Sequence, residues 1–226
     1  MVRAIRARLR GPTCEISMKR LFLVFVLLVS LAPAAPVLAE SAVDQSDPQA
    51  LIKTATQQVL DEVRTQAIAP DDIARIRSIV DRDILPYVDF RRTTRLSMGH
   101  YWRTATPEQQ EQLVTQFQLL LIHLYSGALA QLTPDQQIEY LPMRTAPGDT
   151  DAVVRTLAQT SGKPVEIDYR LYKTPQGWRL YDLNVLGAWL IQTYRQQFSE
   201  KIQEGGIDGL IQFLASRNQE LSPGKS

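Results

Sequence analysis

Polar and apolar positions along this chain keep two rhythms, one of three to four residues and one of two. Ile52, Ala55, Val59 and Val63 recur at helical spacing after Asp47-Pro48, a cap followed by a first-turn proline. A second helical stretch starts near Asp71, sets Ile73, Ile76 and Val80 on one side, and stops at Pro86. Thr106-Pro107-Glu108-Gln109 reads as a capping box opening a helix of about 25 residues through Leu113, Phe117, Leu120, Leu121, Leu124 and Ala128. Its middle, LLLIHLYSGAL, is apolar on nearly every side, which predicts burial on more than one face.

The rhythm then shortens. Runs over Ile138–Thr145, Ala152–Thr160, Val165–Lys173 and Gly177–Val185 are separated by Pro147-Gly148-Asp149, Ser161-Gly162-Lys163-Pro164 and Thr174-Pro175-Gln176-Gly177. Short turn clusters of this kind suit an antiparallel meander. In the third run Val165, Ile167, Tyr169 and Leu171 share a face, leaving Glu166, Asp168 and Arg170 on the other. The helical rhythm returns after Gly187 with Leu190, Ile191, Tyr194 and Phe198, and again after Gly205-Gly206 with Ile207, Leu210, Ile211 and Leu214. The expected class is α+β: an N-terminal helical part and a curved antiparallel sheet of about four strands, covered by helices.

The start of the chain changes what composition means. Lys19 and Arg20 precede the uncharged run Leu21–Leu31, followed by small residues and prolines up to Ala39. That order describes a secretory signal peptide, and the apolar block is shorter than the ~20 residues needed to span a bilayer. Residues 1–39 are therefore read as an extension and cleaved signal, and residues 40–226 as a single domain. Cys14, the only cysteine, falls in the removed part, so a mature chain has no disulfide, thiol nucleophile or lipidated N-terminal cysteine. The cut takes six basic residues and one acidic one, leaving 19 basic and 23 acidic residues, a net charge of −4. No basic stripe remains for nucleic acid.

Candidate chemistry is sparse. His100 and His123 have no metal-ligand spacing, and no phosphate-loop, dinucleotide or nucleophile-elbow motif occurs. Asp168 and Tyr169, like Tyr181 and Asp182, are expected on opposite faces of their strands. Arg91, Arg92 and Arg95, beside Tyr87 and Phe90, suit either an anionic group or a solvated helix face with ordinary ion pairs.

Several stretches together resemble the periplasmic phospholipid-binding MlaC family, also called the toluene-tolerance family. They are Leu85-Pro86-Tyr87-Val88, Gly99 to Gln109 (GHYWRTATPEQ), Tyr125-Ser126-Gly127-Ala128-Leu129, Tyr181-Asp182 with Gly187, and Gly206-Ile207-Asp208-Gly209-Leu210. The resemblance implies a nuclear-transport-factor-like cone enclosing an apolar cavity, with phospholipid as the bound ligand and no other cofactor. It further implies shuttling between an outer-membrane lipoprotein–porin complex and an inner-membrane ABC transporter complex, which maintains outer-membrane asymmetry. Tyr125 and Ala188 match places near the family's cavity. Alternation adds Ile167, Tyr169 and Leu171, equally readable as plain core, and Trp189 and Tyr194 complete the candidate wall. Arg91, Arg92 and Arg95 are the candidate head-group contacts, no catalytic or metal-binding residue is assigned, and no enzymatic activity is expected. A non-catalytic periplasmic adaptor, or an enzyme on the same cone, stay as alternatives.

Overall fold

Helix starts are set by local chemistry. In the computed structural model, which describes residues 44–65, 72–133, 135–143, 146, 148–159 and 162–222, Asp47 accepts the Ala50 N–H at 2.8 Å and opens α1, Pro48–Thr65. Asp72 does the same for Arg75 at the start of α2, Ile73–Ile79. Beyond it the chain widens into a π-helical turn, Val80–Ile84, and tightens into a 3-10 turn, Leu85–Tyr87, where Pro86 ends the helical run. Asp89 caps α3, Phe90–Met98. A second 3-10 turn, Gly99–Arg103, leads to α4, Pro107–Ala130. The capping box forms as expected: Thr106 N–H donates to Gln109 Oε1 at 3.0 Å, and Gln109 N–H to Thr106 Oγ1 at 3.2 Å. The signal-peptide reading lies outside the described residues.

Five strands follow in a simple antiparallel meander: β1 Ile138–Tyr140, β2 Asp151–Ala158, β3 Val165–Thr174, β4 Gly177–Val185 and β5 Ala188–Trp189. The first is shorter than the sequence suggested. The fifth was not anticipated, because two residues carry no alternation to read. β5 feeds α5, Leu190–Leu221, whose backbone breaks at Gly206 (φ 69°, ψ −170°). Two helices therefore close the chain, as the paired glycines predicted.

The register defines two faces. Thr156 pairs with Ile167, Val154 with Tyr169 and Ala152 with Leu171, and α1 covers this inner face through Leu51 and Ile52 against Val154, Leu171 and Trp178. Asp168, Arg170 and Tyr172 alternate onto the outer face, where Val153 and Arg155 of β2 are exposed. Between β3 and β4 the register slips by one: Arg170 faces Asp182, but Leu171 faces Leu180. Tyr181 is the extra residue of a β-bulge. Its ring turns to Arg92 and lies 5.8 Å from that of Tyr172, on the side that carries Asp182. The expectation that Tyr181 and Asp182 point to opposite faces is thus corrected, since alternation fails at a bulge.

Apolar packing is divided. The largest cluster joins α3, α4 and α5 through Met98, Phe117, Leu121, Tyr194, Phe198 and Leu214. A second lies under α1 on the inner face, and a third joins Ile76, Val80 and Ile122 between α2 and α4. At about 1.5–3 kcal/mol per fully buried large aliphatic or aromatic side chain, these clusters supply the main stabilisation. No helix among the described residues is long and apolar enough to cross a membrane.

Candidate functional site

One row of side chains crosses the inner face from strand to strand. Thr156 of β2 stands opposite Ile167 of β3, Ile167 opposite Val185 of β4, and Val185 opposite Ala188 of β5. The next row is Val154, Tyr169 and Leu183. The register thus brings Ile167, Tyr169 and Ala188 onto one surface, and adds Thr156, Val185 and Leu183, which the sequence reading had not assigned. Alternation within β2 and β4 carried that signal. Leu171 shares the face but has no exposed surface, closed beneath Leu51, Ile52 and Trp178. It is packed in the core beneath α1, the second of the two readings the sequence allowed.

Tyr169 marks what this surface borders. Burial raises its hydroxyl to about 12, with the Thr156 hydroxyl opposing the shift and Tyr140 and Asp168 adding to it. Yet the residue keeps part of its surface accessible. Tyr169 therefore lies deep in the protein without being sealed by its neighbours. Ile167, Leu183 and Val185 are half-buried in the same way, and the three apolar clusters do not merge across this region.

The helical side is formed by α4. Leu124 and Tyr125 are 44% and 41% exposed, large hydrophobic residues left uncovered on a helix whose Leu113, Phe117, Leu120, Leu121 and Ile122 are buried. Burial raises the Tyr125 hydroxyl, and it raises that of Tyr194 to about 12, with Tyr125 adding to the shift. The two tyrosines are neighbours, but the Tyr194 ring belongs to the helical core, 4.6 Å from Phe117 and 5.6 Å from Phe198. Half-buried His123 is held below its ordinary value by burial and by Arg77, opposed by Asn218. Among the described residues no group of three or more His, Cys, Asp or Glu side chains is placed to hold a metal ion.

Trp189 departs from the expected wall. It pairs with Asn184 on the outer face, and Arg170 stacks 3.6 Å above its ring. Around it lie Asp168, Asp182 and Asn184, all buried. Asp182 Oδ2 pairs with Arg170 at 3.1 Å, and its Oδ1 accepts the N–H groups of Ile191 and Leu183, each at 3.0 Å. The carboxylate therefore caps the first turn of α5, which Trp189 at the N-cap position cannot do. These polar groups build the elbow between sheet and helix. On the inner rows, the polar side chains are the hydroxyls of Tyr140, Thr156 and Tyr169.

Arg91, Arg92 and Arg95 do come together, in a cleft of about 260 Å³ lined with Asp89, Trp102 and Tyr172. Since Tyr172 belongs to the outer face, the cleft lies on the other side of the sheet from the Ile167 row.

Comparison with known proteins adds four relations. The family model "MlaC protein" matches residues 53–216. The intermembrane phospholipid transport system binding protein MlaC of Haemophilus influenzae is 23% identical over 177 residues, 76% of this chain and 82% of that protein. The toluene tolerance protein ttg2D of Pseudomonas putida is 27% identical over 108 residues, 48% of this chain and 50% of that protein. Among solved structures, a phospholipid-binding protein from Ralstonia solanacearum, in complex with a phospholipid, is 44% identical. It superposes with a TM-score of 0.73 over 78% of this chain and 99% of its own.

Proposed function

This chain belongs to the MlaC family, and on that premise we propose that it is a phospholipid carrier of the periplasm, without catalytic activity, whose acyl chains lie against Ile167, Tyr169, Val185 and Ala188. In this reading Tyr125 closes the helical side of the cavity. The cargo moves between an outer-membrane lipoprotein–porin complex and an inner-membrane ABC transporter complex, which preserves outer-membrane asymmetry. The observation that carries the proposal is Tyr169, deep in the protein, accessible, and surrounded on its face by aliphatic side chains. The 44% identical relative bound to a phospholipid supports it.

Energetics suit a carrier. Burying an acyl chain is worth about 0.8 kcal/mol per methylene, so roughly thirty methylenes contribute on the order of 24 kcal/mol against water. Between two membranes that gain nearly cancels, and partner contacts then steer transfer. A catalytic pocket would need polar groups converging on the cargo, whereas the Thr156 hydroxyl is turned to its own sheet, donating to the Ile167 carbonyl at 3.0 Å.

Native mass spectrometry of the protein purified without detergent, followed by organic extraction, tests the reading. The expected result is a stoichiometric phospholipid adduct, lost in Ala188→Asp and Tyr125→Asp, both at exposed positions where folding tolerates the change. A bare protein that also fails to take lipid from vesicles would overturn it.

A further inference from the structure

We propose that the arginine cleft is a binding site for a phosphate-type oxyanion, separate from the apolar rows. The Arg92 guanidinium sits between two nearly perpendicular rings, 3.9 Å from the centroid of Tyr172 and 4.6 Å from that of Tyr181. Contact with both rings holds its position through cation–π attraction, which uses none of its N–H donors. Among the described residues, neither Arg92 nor Arg95 forms a salt bridge or donates a side-chain hydrogen bond to protein, and Arg92 Nε is buried without an acceptor. Arg91 differs, being paired with Glu111 and donating to Gln110 at 3.1 Å, with its guanidinium 5.5 Å from the Trp102 ring.

The acidic neighbours are already engaged. Asp89 Oδ1 accepts the Arg92 backbone N–H at 2.8 Å, and its Oδ2 accepts the Tyr172 hydroxyl. Its carboxylate is thus tied to the start of α3 and to the sheet, not to a guanidinium. Glu111 is spent on Arg91. Two uncompensated guanidinium groups, Arg92 and Arg95, remain in one cleft; they stand at i and i+3, neighbouring positions on a helix where like charges repel. A tetrahedral oxyanion relieves that repulsion and accepts paired N–H bonds. At about 260 Å³ the cleft admits a phosphate and a short substituent but no acyl chain. The shared chemistry is that of a free phosphate or a phospholipid head group presented by a membrane surface. The inference does not depend on the carrier reading, because the cleft and the apolar rows lie on opposite faces.

The test titrates inorganic phosphate into the purified protein by calorimetry at low ionic strength. In parallel, the protein is cosedimented with vesicles of phosphatidylcholine alone or mixed with phosphatidylglycerol. The variant is Arg95→Gln, at an exposed side chain without a protein partner, so folding is not at stake. Saturable phosphate binding, weakened about tenfold in the variant, supports a site for free anions. Retention on phosphatidylglycerol vesicles alone, lost in the variant, supports the head group as the source. Absence of both, or binding unchanged by the variant, overturns the proposal. Carried lipid, measured by extraction, is expected unchanged in Arg95→Gln. Its loss would place Arg95 at the cavity and overturn the separation of the two sites.

Discussion

Asp182 shows how one side chain serves two elements. Its carboxylate ends the Arg170 pair on one side and holds the Ile191 and Leu183 N–H groups on the other. Replacement by alanine leaves those buried donors unsatisfied, and urea unfolding of Asp182→Ala is expected to show a loss of about 2 kcal/mol. Burial, the largest influence, raises the Asp182 carboxyl above its ordinary value, against the Ile191 N–H, Arg170 and the Leu183 N–H. A raised acid binds its proton more tightly folded than unfolded. The stability linked to that proton is complete below the unfolded value near 3.8 and is lost as pH rises through the folded value. Wild type should therefore gain stability relative to Asp182→Asn as pH falls from neutral into the carboxylate range. Urea midpoints that move apart the other way would refute the assignment. Nothing in the sequence signalled this role, because Arg170 and Ile191 belong to other elements that only the fold brings to Asp182.

At the scale of elements, two of the stretches that carried the family resemblance, Gly99 to Gln109 and Gly206 to Leu210, mark element boundaries. Thr106 and Gln109 close the capping box of α4, and Gln109 also donates to Asp208 just beyond the Gly206 break, at 2.7 Å. Such signals are local, which is why they were legible without a structure. Thr106→Ala is expected to cost about 1 kcal/mol in urea unfolding. Gly206 occupies a backbone region that side chains avoid, and an added Cβ would meet open space. Gly206→Ala should thus destabilise by about 1–3 kcal/mol through conformation alone. Its neighbour gives the control: Gly205→Ala, in helical backbone, should be neutral or stabilising by up to ~1 kcal/mol. Equal effects at the two positions would contradict the break. Strands were legible where alternation ran for several residues, as in β2 and β3, and illegible in β5, where it could not.

Over the whole molecule, sequence reading reached the α+β class, the meander and the inner face, but not which positions on that face stay accessible. Periodicity marks sealed and accessible positions alike: Leu171 and Tyr169 lie two residues apart on one face, one sealed and one accessible. In the carrier reading, cargo contributes to stability by mass action. A ligand at a hundred times its Kd adds about 2.7 kcal/mol, which for a domain of this size raises Tm by roughly 5–10 °C. Calorimetric scans of protein before and after lipid extraction should differ by that much. Identical melting of the two forms would mean that no bound cargo supports the fold.

The bulge at Tyr181 sets a rule about length. Trp178 and Leu180 occupy even positions, Leu183 and Val185 odd ones, yet all four reach the same surface because one uncounted residue shifts the phase between them. Point substitutions along β4 alter single contacts, whereas deleting or duplicating one residue would turn half the strand inside out. What this stretch must preserve, before any particular side chain, is its count.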